Sequence, residues 1–398
     1  MAQQAHAAAV VVGVLLYCCL CLFVGVVAGE HGGGGGDIKR QYKAMFSFGD
    51  SLTDTGNICV NMSAVNRTEL TMAQPPYGIT FFGHPTCRCS DGRLVVDFLA
   101  EGLGLPLLPP SKVIGGDFRR GANMAIVGGT ALDFDFFESI GVGFPFWNYG
   151  SMNVQLRWFR DLLPSICATA APQGISYLAE SLFLFGSLGG NDYNAMVLFG
   201  FTIDQARNYT PKIVDQIASG VEKLIAMGAV DIIVPGVMPF GCFALYLTEL
   251  KSSNKSDYDD YGCLKPLNEL AIHHNSLLQT SLAAVQARHR RSPSSSPSSP
   301  SPAAAVRIMY ADYYAVVAEM MQAPARLGFR SGIAACCGAG GGEYNWEYVA
   351  RCGMRGAAAC ANPSSAVCWD GAHTTEAANR VIAGGWLRGP YCHPPILL

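Results

Sequence analysis

Apolar residues recur along the chain in two rhythms, one of period two and one of period near 3.6, and together they predict strands alternating with helices. The first strand is Ala44 to Phe48, where the aromatics Phe46 and Phe48 stand two positions apart. Short apolar runs at Leu182 to Phe185, Ala229 to Val234 and Val306 to Tyr310 read as further strands. Between these runs the spacing lengthens. Helices are expected at Leu94 to Leu103, ended by Gly104 and Pro106, in the amphipathic stretch Ser151 to Leu163, and at Thr210 to Met227. The last of these carries Ile213, Ile217, Val221, Leu224 and Ile225 on one stripe and stops at Gly228. Three more are expected at Leu264 to Arg288, Tyr310 to Met321 and Thr375 to Leu387, and Ser90-Asp91-Gly92-Arg93 is the expected cap of the Leu94 helix. Arg93 is read as structural, pairing with Asp91 or Asp97. Strands near residues 44, 182, 230 and 306 with helices between them imply an α/β fold, a three-layer α/β/α sandwich around a central, mainly parallel sheet.

Three stretches lie outside this alternation. Ile58 to Arg88 is rich in turn formers and reads as a surface excursion. Ser292 to Pro302, SPSSSPSSPSP, has nothing to bury and reads as a flexible surface insertion, not a domain boundary. Ala334 to Cys368 holds five cysteines and many glycines, the make-up of a disulfide-stapled loop.

Composition changes the picture at the N-terminus. Val10 to Ala28 is almost unbroken apolar sequence, followed by a glycine run from Gly32 to Gly36. Small residues near Ala28 suit cleavage of a secretory signal, while the length of the run and the lack of a preceding Lys or Arg suit an uncleaved anchor. The expected organisation is therefore a signal peptide or anchor over 1–29, a Gly-rich linker over 30–42, one catalytic domain over 43–392 and a C-terminal tail over 393–398. Either leader places the body in the secretory lumen or outside the cell, with a Golgi membrane location if the anchor stays. Sequons at Asn61, Asn66, Asn208 and Asn254 are glycosylation candidates in that compartment. Outside the leader stand twelve cysteines from Cys59 to Cys392, an even number that predicts disulfides, Cys87 and Cys89 among the bridged. Cys87-x-Cys89 and the adjacent pair Cys336-Cys337 lack the spacing of a structural zinc site. A net charge of -3 with no basic cluster argues against nucleic acid as partner.

The chemistry is carried by residues far apart. After the first strand, Gly49-Asp50-Ser51 forms a polar turn that offers the Ser51 hydroxyl at a strand's carboxyl end, with Asp50 placed to hydrogen-bond nearby amides. A serine after a strand is usually a turn or cap residue. What sets Ser51 apart is Trp369-Asp370-Gly371-Ala372-His373, which puts a carboxylate and an imidazole on one turn. Asp370 is placed to hold the tautomer of His373, whose other ring nitrogen then faces Ser51 as its base. Gly186 to Tyr193 packs three glycines about Asn191, a setting that suits a side-chain amide thrust into a crowded site. Gly121 to Leu132 has little polar content and suits a backbone passing close to something. His273 and His274 have no recognisable acidic partner and read as packing or polar-face residues.

GDSLTDTGN from Gly49, GANMAIVGGTALD from Gly121, GGNDYN from Gly189 and WDGAHTTEAANR from Trp369 together resemble the plant GDSL esterase/lipase family, a branch of the SGNH hydrolases. The resemblance spans about residues 43 to 392. It implies a serine esterase in which Ser51, His373 and Asp370 are catalytic, and the amides of Ser51 and Gly128 with the side chain of Asn191 form the oxyanion hole. Gly129 competes with Gly128 for that role by one residue, and Met124 stands where the family usually has an aromatic. No metal or organic cofactor is called for. The expected partner is an ester substrate, an acetylated polysaccharide or a small-molecule ester, with short-chain acyl groups first. A lipase acting on longer acyl esters, an acyltransferase using the same site, and an inactive cell-wall binding protein are the alternatives. The aromatic run Phe144, Phe146, Trp147 and Tyr149 reads as loop or core anchors more than as a cleft wall.

Overall fold

The computed structural model describes residues 41–61, 70–143, 150–168, 174–290 and 305–398, with the side chains of Asn61, Cys167, Ala168, Ile175 and Ser176 outside that set. The expected leader, the linker up to residue 40, the aromatic run and the Ser/Pro insertion also lie outside the described residues, as does Asn66. In chain order the main elements begin β1 (Met45–Phe48), α1 (Val95–Gly102), β2 (Gly121–Asn123), α2 (Met152–Ala168), β3 (Leu182–Phe185), α3 (Gly190–Val197), α4 (Thr210–Met227) and β4 (Asp231–Pro235). They continue α5 (Lys265–Arg288), β5 (Arg307–Ala311), α6 (Tyr313–Gln322), the short strands β6 (Cys337–Gly338) and β7 (Ala358–Ala359), α7 (Glu376–Arg388) and β8 (Cys392–His393).

The central sheet has the order β2-β1-β3-β4-β5-β8. Its first five strands are parallel, and β8 closes the edge antiparallel to β5. The α/β fold with a mainly parallel sheet is thus the one expected. In this order the chain leaves β1 toward β2 on one side and later returns to β3 on the other, so the carboxyl ends of β1 and β3 flank the point where the winding reverses.

The period-two aromatics of β1 and β3 explain how the sheet is covered. Phe48 lies opposite Phe185 in the register, and Phe159 of α2 packs 5.0 Å from the Phe46 ring and 5.6 Å from that of Phe48. Ile213, Ile217, Val221 and Leu224 of α4 are buried as expected, while Ile225 is only half-buried at the stripe's margin. Each buried side chain of this kind contributes about 1.5–3 kcal/mol, so the stripe is enough to hold the helix in place. Gly220 on the same helix sits where a Cβ would lie 2.4 Å from the Phe185 ring, which makes it the contact that lets α4 close on the sheet. Elsewhere α1 packs against α7.

Several expectations are corrected in detail. The cap of α1 is not Ser90 to Arg93: Asp97 within the helix reaches back and accepts from the Leu94 N–H at 2.9 Å. Arg93 pairs with Glu101 and Glu376, each at 2.8 Å, and Asp97 is taken by Arg88. Residues 393–398 are not a loose tail, since β8 includes His393, Ile396 is fully buried and its N–H bonds to the Trp386 carbonyl. Four disulfides join Cys59–Cys87, Cys242–Cys263, Cys336–Cys360 and Cys337–Cys352. Cys89, Cys368 and Cys392 are buried free thiols, so even parity overstated the pairing and Cys89 is not bridged.

Candidate active site

The turn that carries Ser51 begins with a glycine that no other residue can replace without strain. Gly49 has φ 142°, and a Cβ there would sit 2.0 Å from the Gly186 carbonyl oxygen, because the ends of β1 and β3 are pressed together. Gln155 of α2 clasps the same peptide, accepting from Gly49 N–H and donating to Gly49 O, both at 2.8 Å. The Asp50 carbonyl then accepts from the N–H groups of Thr53 and Asp54, tightening the turn. Its carboxylate accepts from Leu52 N–H at 2.9 Å and Ser187 Oγ at 2.8 Å, tying the β1 turn to the β3 turn. Ser51 is thereby held at the reversal point of the sheet.

His373 comes from 322 residues downstream, and its Nε2 lies 2.8 Å from Ser51 Oγ. On the other side of the ring, Nδ1 lies 2.8 Å from Asp370 Oδ2 and 3.0 Å from Oδ1. Asp370 accepts three further donors, the N–H of Ala372 at 3.1 Å, the N–H of His373 at 3.0 Å and the Tyr77 hydroxyl at 2.7 Å. With every contact a donor, the site is built for a carboxylate. Burial opposes that charge, yet the facing His373 and these hydrogen bonds outweigh it and hold Asp370 below its ordinary pKa. Burial likewise opposes a charged His373, and the Asp370 charge and hydrogen bond overcome it to raise the ring's pKa. Burial and then the Asp370 charge push the Tyr77 phenol up, so it stays a donor.

The opposite wall of the site is a backbone loop fixed from below. Asp54 accepts from the N–H groups of Gly56, Asn57 and Ile58 and also from Val127 N–H at 3.0 Å, which joins the nucleophile turn to the segment bearing Gly128. Asn57 donates to the carbonyls of Asn123 and Ala125 at 2.7 and 2.8 Å. Asp192 of α3 accepts from Ala131 and Leu132 N–H at 2.8 and 2.9 Å, locking the loop's far end to the helix that carries Asn191. Asn191 Nδ2 donates to Gly129 O at 3.1 Å, and Asn194 Nδ2 donates to its Oδ1. Gly129 N–H is spent on the Ile126 carbonyl, whereas Gly128, at φ 79°, lines the cleft itself.

Ser51, Asp370, His373, Gly128 and Asn191 all border one cavity of about 300 Å³. Its other walls are largely apolar and aromatic, and include Leu198, Met238, Phe240, Phe243, Trp346 and Tyr348. A hydroxyl, an imidazole and a carboxylate in succession, facing amide donors across a small apolar cleft, are the parts of an acyl-transfer site.

Known proteins agree with that chemistry. The family model described as GDSL-like Lipase/Acylhydrolase matches residues 45–386. The chain belongs to the GDSL esterase/lipase family. It is similar to a GDSL esterase/lipase of Arabidopsis thaliana, 42% identical over 361 residues that cover 89% of this chain and 87% of that one. It is similar also to the sinapine esterase of Brassica napus, 42% identical over 360 residues covering 89% and 87%. A second Arabidopsis thaliana GDSL esterase/lipase is 39% identical over 364 residues, covering 89% of this chain and 92% of its own. This GDSL protein is accordingly a carboxylic ester hydrolase.

The structure of this GDSL esterase brings together all five residues singled out in the sequence and adds others that had no visible signal. Tyr77 reaches Asp370 across 293 residues, and Gln155 reaches Gly49 across 106. Asp54, Asn57 and Asp192 lie inside the GDSLTDTGN and GGNDYN blocks, so their position was in view while their partners were not. His274 stands outside the site: buried, with Nδ1 3.0 Å from the Tyr193 hydroxyl, it is pushed by burial down to about 3 and stays neutral. Cys89 borders the cleft, but burial and then the Asp370 charge push its thiol up, the opposite of what a nucleophilic cysteine needs. Asn208 and Asn254 are exposed.

Proposed function

We propose that this GDSL esterase acts in the secretory pathway or at the cell wall on short-chain, chiefly acetyl, esters of a plant glycan or small metabolite. In this reading His373 takes the proton as Ser51 Oγ attacks the ester carbonyl, and the oxyanion meets the amides of Ser51 and Gly128 and the Asn191 side chain. Collapse of the intermediate expels the alcohol, protonated by His373, and leaves Ser51 acylated. Water, deprotonated by His373 in turn, then releases the acid. Asp370 holds the ring's tautomer and stabilises the imidazolium.

The observation that carries the reading is the unbroken succession Ser51 Oγ to His373 Nε2 at 2.8 Å and His373 Nδ1 to Asp370 Oδ2 at 2.8 Å. A cavity of about 300 Å³ is at the small end of ligand sites, which supports a short acyl group. Four disulfides and the exposed sequons Asn208 and Asn254 support a secretory compartment, and with it the cleaved or anchoring leader over 1–29. Longer acyl esters are the second reading, supported by the exposed apolar Leu198 and Tyr348 at the cleft.

The test compares purified wild type with Ser51→Ala on 4-nitrophenyl acetate, 4-nitrophenyl palmitate and acetylated xylan. The expected result is loss of about four to six orders of magnitude in kcat with the fold intact. Turnover retained in Ser51→Ala would remove the nucleophile, and equal wild-type rates on acetate and palmitate would remove the short-chain preference.

A further inference from the structure

Among the described residues, the buried and partly buried arginines are paired with a carboxylate, with one exception at the catalytic cleft. Arg88, Arg93 and Arg307 each hold a carboxylate at 2.8 Å, from Asp97, Glu376 and Asp231. Arg351 borders the same cavity as Ser51 and His373, and it has no carboxylate partner; its Nε, like that of Arg93, is buried with no hydrogen-bond partner. Its guanidinium instead lies over the Tyr348 ring, 4.9 Å from the centroid. The acids of the cleft are already committed: Asp50 to Leu52 N–H and Ser187, Asp370 to His373, Tyr77 and two backbone amides. Among the described residues nothing neutralises Arg351.

The segment that carries this cation is seated firmly. Arg351 is bridged to Gly338 in antiparallel register, and the next residue, Cys352, is bonded to Cys337. The N–H groups of Cys336 and Cys337 donate to the carbonyls of Cys368 and Trp369, fastening the loop to the segment that leads into Asp370. Trp346 packs so closely on Gly371, between Asp370 and His373, that a Cβ there would lie 2.1 Å from the indole. Gly353, at φ 81°, is pressed against the Thr71 carbonyl on the cleft's other flank. A guanidinium positioned this way has much of its ordering cost met before any ligand arrives.

We infer that Arg351 selects esters that also carry a carboxylate, such as an acylated uronic acid or an acylated hydroxy acid, and pairs with that carboxylate while Ser51 attacks the ester. The inference rests on the esterase reading and names its substrate class. A planar, permanently charged fork in a partly dehydrated, largely apolar cleft favours a carboxylate, with which it forms two parallel charge-assisted bonds.

The test uses a matched pair, 4-acetoxybenzoate and its methyl ester, which present the same acetyl group with and without the anion. The ratio of their kcat/KM values is measured in wild type, Arg351→Gln and Arg351→Lys. Intrinsic differences between the two leaving groups cancel when ratios are compared across variants. The anionic-to-neutral ratio is expected to fall about 10- to 100-fold in Arg351→Gln and to recover in part in Arg351→Lys. A ratio within about threefold of wild type in Arg351→Gln would overturn the inference. Binding of 4-hydroxybenzoate to Ser51→Ala, followed by calorimetry, decides the matter independently of turnover. Its affinity is expected to fall by the same factor when Arg351→Gln is added, and an unchanged affinity overturns the proposal. If wild type hydrolyses neither ester, the esterase reading fails, and calorimetry still tests the anion site.

Discussion

Asparagine in place of Asp370 keeps the size of the side chain and reverses half of its hydrogen bonding. Each donor around the carboxylate is fixed: Ala372 and His373 N–H meet Oδ1 at 3.1 and 3.0 Å, and the Tyr77 hydroxyl and His373 Nδ1 meet Oδ2 at 2.7 and 2.8 Å. The amide oxygen best replaces Oδ1, where two backbone donors cannot turn away, so the NH₂ falls at the Oδ2 position and donates to His373 Nδ1. The imidazole is then protonated on Nε2, which faces Ser51 as a donor and no longer as a base. Loss of the base is expected to lower kcat by about 10⁴, the scale seen when a triad carboxylate is amidated elsewhere, with KM little changed. The pH profile gives a second readout. In the proposed mechanism His373 must be neutral to accept the serine proton, and its pKa is raised, so the acid limb of wild-type kcat/KM is expected to inflect above 6.5. In Asp370→Asn the inflection moves down. The assay is steady-state hydrolysis of 4-nitrophenyl acetate from pH 5 to 9. A variant within tenfold of wild type, with its acid limb in place, would refute the role given to Asp370.

Stability should follow pH in a definite direction. Burial raises Asp50 and Asp54 to about 6 and Asp192 to about 7, so each favours folding when protonated and this contribution is lost as pH rises from the ordinary 3.8 through those values. The raised His373 acts in the same sense at higher pH and Asp370, lowered, in the opposite sense at low pH, so the unfolding midpoint in urea should decline from pH 5 to pH 8. A midpoint that climbs over this range contradicts the burial argument. Gly49→Ala must displace the Gly186 carbonyl from 2.0 Å and is expected to cost several kcal/mol, visible as failure to accumulate folded protein, whereas Ala at exposed Gly104, with φ 68° and open space, should remain foldable. Cys337→Ser paired with Cys352→Ser removes a cross-link spanning 15 residues and should lower stability by about 3 kcal/mol, with the aromatic wall at Trp346 loosened and KM increased. A double variant with wild-type unfolding and KM would show that the loop is held by packing alone.

The parts of this molecule that were legible in its sequence are those whose signal is local. β3 needed only its apolar run from Leu182 to Phe185, and α4 only the stripe from Ile213 to Leu224 with Gly228 to stop it. Asp370 and His373 share one turn, so their relation was visible without the fold. β2 was not, since Gly121, Ala122 and Asn123 show no alternation and become a strand only because β1 offers them a partner. β8 is two residues long and equally dependent on β5. The Arg93 partners were misassigned because proximity in sequence favoured Asp91 and Asp97, while packing of α1 on α7 brought Glu376 closer. Cysteine parity failed for a related reason: Cys89, Cys368 and Cys392 are left free by where the fold places them, and counting carries no geometry. Tyr77, Gln155 and the donors to Asp54 belong to the same class, polar groups given meaning by residues far away in the chain.

The 322 positions between serine and histidine also set a clock. At about 5–20 residues per second of synthesis, roughly 15 to 65 seconds separate the appearance of Ser51 from that of the base proposed for it. Throughout that interval the nascent polypeptide holds an alcohol that no base activates. A ribosome that stalls, or a message cut short before the last turn, therefore yields a product unable to damage cellular esters, and competence arrives only with nearly the whole chain.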